Sequence, residues 1–120
     1  MNTELEHQLV ERYPKLFEQI NWPMNKTCMC WGIECGDGWY GIIDRLCSSI
    51  EATGVEGMQF SQIKEKYGTL RVYVGGATKE VYELLDEAEA ESGRTCEDCG
   101  APGKQRGGGW IKTLCDGCVS

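Results

Sequence analysis

From Trp39 to Ala52 the apolar side chains fall at Trp39, Ile42, Ile43, Leu46, Cys47 and Ile50, in steps of three and four. That spacing lays a continuous stripe along one side of an α-helix. Thr53-Gly54 supplies a stop signal, and Asp37 is the expected N-cap. A looser period runs from Thr3 to Ile20 through Leu5, Leu9, Tyr13, Leu16, Phe17 and Ile20. Thr3 with Glu6 three residues later reads as a capping box. Pro14 interrupts the ladder and predicts a kink or two short helices. A third helix is predicted from Lys79 to Glu91, with Val81, Leu84, Leu85 and Ala88 inward and Gly93 beyond its end. Its outer face is acidic: Glu80, Glu83, Asp86, Glu87, Glu89 and Glu91.

Between the second and third helices the period changes to two. Met58–Lys66 and Thr69–Val74 flank Tyr67-Gly68, which reads as a two-residue hairpin loop. That loop sets Lys66 opposite Thr69, Lys64 opposite Arg71 and Gln62 opposite Tyr73. Ile63, Leu70, Val72 and Val74 then share the other side, so one register sorts an apolar face from a basic one. Glu65 is the exception, falling on the apolar side near the turn. Residues 21–38 show no period and read as an irregular loop rich in Cys, Trp and Gly.

The chain closes on Cys96-x2-Cys99, fifteen intervening residues, and Cys115-x2-Cys118. This is the spacing of a four-cysteine zinc module, each pair offering two thiolates from one tight turn. With all four positions filled by sulfur, one structural Zn2+ is expected, with no catalytic position left open. The loop between the pairs carries Lys104, Arg106 and Lys112 beside Trp110, a cation–aromatic mixture that suits phosphate and bases.

The remaining bulk properties narrow the setting. A net charge of -7 over 120 residues disfavours generic nucleic-acid binding and suits cationic partners. Eight cysteines would fit a disulfide framework, but MNTELEHQLVERYPKLF lacks an apolar export signal, so reduced thiols and a cytoplasmic location are expected. No apolar run approaches membrane-spanning length.

Other constellations are weaker. Cys28, Cys30 and Cys35 match no common ligand spacing, and Cys47 on an apolar stripe behaves as a small hydrophobe. A cysteine nucleophile needs a base, and His7, the single histidine, falls on a surface helix. Glu34 and Asp37 are near enough in sequence to act as paired carboxylates in a hydrolase, but no other motif completes such a mechanism. Lys64, Lys66, Arg71 and Tyr73 on the hairpin are the candidate contact residues for an anionic ligand or an acidic protein surface. Trp22 and Trp31 either cap the core or expose an interaction patch.

The runs CWGIECGDGWYGIIDRLCSSIE, QIKEKYGTLRVYV and RTCEDCG…GGWIKTLCDGC resemble a set of small proteins from tailed phages and prophages, from about Glu11 to Cys118. The resemblance implies a phage accessory product acting in the bacterial cytoplasm and brings no catalytic residues with it. The expected fold is α+β: N-terminal helices, a small antiparallel sheet, a third helix and a zinc-ribbon-like end. Residues 1–93 would form the body and 94–120 the metal module. The expected function is non-enzymatic binding of a host protein or a small anionic signal molecule through Lys64, Lys66, Arg71 and Tyr73. The alternative is a zinc-containing regulator that meets nucleic acid through Lys104, Arg106, Trp110 and Lys112.

Overall fold

A computed structural model describes residues 1–119 and has the α+β architecture; Ser120, the last residue of the expected metal module, lies outside the described residues. Helix α1 spans Thr3–Arg12, and a short strand β1 spans Ile33–Glu34. Helix α2 follows at Tyr40–Ala52, then strands β2 (Gln59–Lys66) and β3 (Thr69–Gly75), and helix α3 (Lys79–Ser92). Strands β4 (Lys104–Arg106) and β5 (Lys112–Leu114) form a separate ribbon.

The hairpin has the register that its alternation predicts: Lys66 pairs with Thr69, Lys64 with Arg71 and Gln62 with Tyr73. A bulge between Phe60 and Gln62 then shifts the pairing. Glu65 is accommodated because its carboxylate accepts the Gly68 N–H at 2.8 Å and so closes the turn. The sheet has a third strand in a region that reads as loop. β1 pairs parallel to β2, setting Ile33 beside Ile63 and Glu34 beside Lys64. A two-residue strand is too short to carry a period, so only its long-range partner defines it.

The N-terminal segment is divided before Pro14, but in place of a second helix opening there residues 14–17 form a turn. α1 ends at Arg12 and a 3-10 turn follows at Glu18–Asn21. The expected capping box is not what starts α1. Asn2 is the cap, accepting from the Leu5 N–H at 3.0 Å, while Glu6 reaches away to accept the Ile33 N–H at 3.0 Å. Asp37 likewise caps nothing; its carboxylate accepts the Asn2 N–H at 2.7 Å, and α2 starts without a side-chain cap. Both acids are drawn to the contact between the N-terminus and β1, a demand that a local motif does not register.

The core lies between the helices and one face of the sheet. Trp39, Ile43, Cys47 and Ile50 of the α2 stripe are fully buried with Phe17, Phe60, Ile63, Leu70 and Val81. Phe17 and Phe60 stack tilted at 5.0 Å between centroids. α3 packs on α2 and along β3, where the Ser92 hydroxyl accepts the Leu70 N–H at 2.8 Å. That bond satisfies a backbone donor on the outer strand of the sheet.

Replacing Ser92 by Ala leaves the buried Leu70 N–H without an acceptor. The expected loss is about 1–3 kcal/mol in denaturant unfolding, with faster hydrogen exchange at Leu70. An unchanged midpoint would show that this edge is held by other contacts.

Candidate metal centre

The four C-terminal cysteines are brought to one point by two turns. In the first, the Gly100 N–H reaches the Cys96 carbonyl at 2.9 Å with Gly100 at φ +84°, a region that favours glycine. In the second, the Cys118 and Val119 N–H groups both reach the Cys115 carbonyl at 3.2 Å. The β4–β5 ribbon joins the turns, pairing Lys104 with Leu114, Gln105 with Thr113 and Arg106 with Lys112. Arg106 braces its base, donating to the Leu114 carbonyl at 3.0 Å and to Asp116 at 2.6 Å.

The sulfur atoms of Cys96, Cys99, Cys115 and Cys118 all lie within 4.8 Å of one another. Cys99 and Cys115 are 3.6 Å apart, too far for a disulfide. A tetrahedron of thiolates with metal–sulfur bonds of about 2.3 Å has edges of about 3.8 Å. The set therefore has the donor type and spacing of a four-coordinate metal site.

The electrostatics point the same way. Burial opposes ionisation of Cys96, but backbone N–H donors from Cys115, Cys99 and Asp98 outweigh it and lower the thiol to about 6. Cys99 gains an N–H from Ala101, yet the crowding sulfurs of Cys115 and Cys96 leave it above the usual thiol range. Cys118 is pushed up further by Cys115, Cys99 and Cys96. The Cys96 thiolate forms readily while Cys99 and Cys118 resist ionisation, as crowded sulfurs do until a cation compensates them.

The module is fastened to the body through a close backbone approach. The Gly38 N–H donates to the Glu97 carbonyl at 2.7 Å, and the Gly36 N–H to the Glu97 carboxylate at 2.9 Å. A Cβ on Gly38 would collide with the Cys96 and Glu97 carbonyls, and one on Gly36 with the Glu97 carbonyl. Burial holds the Glu97 carboxyl above its usual range, partly offset by the Gly36 N–H and by Lys112. Two further bonds complete the seam. The Trp39 indole donates to the Thr95 carbonyl at 2.8 Å, and the buried Thr113 hydroxyl to the Gly68 carbonyl at 2.6 Å. Glycine-rich sequence gave notice of tight backbone at residues 36–38, but not of which partner required it.

The other sequence candidates are dispersed. Cys28 is exposed, Cys30 donates weakly to the Thr27 carbonyl, and neither joins the thiol cluster. Burial pushes the Cys35 thiol up to about 12 and that of Cys47 higher still, which makes both poor nucleophiles. His7 is exposed beside Trp31 in a shallow cleft over α1. Glu34 is exposed and Asp37 is committed to Asn2, so they do not act together.

No family model, curated protein or solved structure matches this chain. Among the described residues, no helix is long and apolar enough to cross a membrane.

On the hairpin, Lys64 and Arg71 are paired across the strands with Tyr73 exposed beyond them. Each cation has an acidic neighbour: Arg71 lies 3.7 Å from Glu89 of α3, and Lys64 is in register with Glu34 of β1. Lys66 instead sits 5.6 Å over the ring of Tyr67.

Gly38→Ala is expected to force the seam apart, because the Cys96–Glu97 backbone already occupies the place of the new methyl group. A loss of about 1–3 kcal/mol in stability should accompany faster metal release to a chelator. Gly108→Ala, where a Cβ meets open space, should alter neither. Equal behaviour of the two variants would mean that the seam does not hold the module.

Proposed function

We propose that one zinc ion occupies the four thiols in a purely structural role. The chain would then be a non-enzymatic phage accessory protein that acts in the bacterial cytoplasm by occupying a host protein. The observation that carries this reading is the closed donor set. Cys96, Cys99, Cys115 and Cys118 supply four sulfurs around one point, so a four-coordinate ion keeps no position for water or substrate. Sulfurs this close together suit a single ion better than a multi-iron cluster, and a tetrahedral all-sulfur site favours zinc.

Recognition falls to the hairpin face at Lys64, Lys66, Arg71 and Tyr73. Its mixed charge supports a protein partner over a small anionic signal molecule. Glu89 and Glu34 stand beside Arg71 and Lys64 and would repel a free anion, whereas a protein surface can answer both signs.

Elemental analysis of reduced protein together with native mass spectrometry should find one zinc per chain; X-ray absorption should find four sulfur ligands. A coordinated water would overturn the structural role. A pull-down from bacterial lysate should retain a host protein on the wild-type chain and lose it with the Lys64→Ala, Lys66→Ala, Arg71→Ala triple variant. Retention of every partner by that variant would exclude the hairpin face.

A further inference from the structure

The overall charge of the chain conceals a local one. Between Cys99 and Leu114 there are three cations, Lys104, Arg106 and Lys112, and no acidic residue. The ribbon register places all three on one face, since Lys104 and Arg106 alternate with Gln105 and Lys112 pairs with Arg106. The opposite face carries Thr113, buried against Gly68 of the hairpin turn. Docking therefore turns the cationic face outward. Arg106 is partly spent on Asp116, while Lys104 is exposed and Lys112 is half-buried with its charge near Glu97.

The same docking creates a feature that the sequence does not announce. Tyr67 at the tip of the hairpin and Trp110 at the tip of the ribbon line one cleft of about 270 Å³, with Ile111, Gly109, Glu65 and Lys66. The two rings are 65% and 76% exposed, among the most exposed large hydrophobics of the chain. Tyr67 also holds φ +54°, a turn position at which Asn or Gly fits without strain and a bulky aromatic does not. Backbone strain of this kind is kept where the side chain has a use. Lys66 borders the cleft, and the Glu65 carboxylate is occupied by the Gly68 N–H. The ribbon tip lies at the end of β4–β5 away from the thiols, so the charge of the metal cluster is not adjacent to it.

We propose that Tyr67 and Trp110 form a stacking platform for single-stranded nucleic acid, with Lys66, Lys104 and Lys112 receiving its phosphates. Exposed aromatic rings bind bases of any sequence through their flat faces, and flanking cations follow the backbone. Duplex DNA offers no unstacked base to such a platform. Lys66 borders both this cleft and the partner face, which otherwise consists of Lys64, Arg71 and Tyr73; Trp110→Ala leaves that face intact and so separates the two readings.

The test uses the full, metal-loaded chain and the fluorescence anisotropy of labelled oligo(dT) and oligo(U) of about 12 nucleotides, against a duplex of similar length, in about 25 mM salt. Both single strands should bind, with the duplex roughly tenfold weaker or worse. Trp110→Ala and Tyr67→Asn should each weaken binding roughly 5- to 150-fold. Asn suits the turn, so loss of fold does not confuse the second variant. Two or three phosphate contacts should give a salt slope of about -1.4 to -2.1, flattened by Lys104→Ala with Lys112→Ala. Flat anisotropy with the loaded protein, equal affinity for the duplex, or wild-type binding by both aromatic variants would each overturn the proposal. So would displacement of tryptophan emission by polyglutamate but not by the oligonucleotides, which would assign the platform to an acidic protein.

Discussion

Two glycines in the loop before α2 set the geometry of much of this molecule. Because Gly36 and Gly38 lack side chains, the backbone of the first metal turn can lie directly on them. Glu97 then receives a hydrogen bond on its carbonyl and another on its carboxylate. Each such bond contributes about 0.5–1.5 kcal/mol net, but the fit leaves no room for a methyl group, so the contact specifies position more than it adds stability. Trp39 joins the two halves from its own end: its rings lie in the core and its indole N–H meets the Thr95 carbonyl. The orientation of the ribbon follows, and with it the placing of Trp110 beside the hairpin tip.

What could be read from sequence divides along the range of the interactions. The α2 stripe, the α3 stripe and the hairpin register depend on neighbours within a few residues, and each is present as its period implies. The thiol cluster was legible for a related reason, since a two-residue spacing within each pair reports a local turn. The features that did not follow from sequence are long-range. β1 exists only because β2 lies beside it, and Glu6 leaves its local helix start to hold Ile33. Glu97 and Thr113 look like ordinary polar positions in a solvated module, yet both are buried at the seam. Tyr67 reads as turn filler until the ribbon tip is placed next to it.

The distribution of apolar burial explains why a metal belongs at this end of the chain. The core cluster runs from Leu9 to Ala88 and takes nothing from the ribbon. Beyond α3 the buried side chains among the described residues are Cys96, Glu97 and Thr113, one thiol and two polar groups. A segment of this size that buries so little apolar surface has no hydrophobic term sufficient to offset the entropy of ordering it. Hydrogen bonds to Gly36, Gly38 and Gly68 fix where it sits but contribute modestly. A cation shared by the four sulfurs would supply the missing free energy, because its binding and the ordering of the ligands are one event. An ion held by the four thiols would therefore order the outward cationic face and the Tyr67–Trp110 cleft as well.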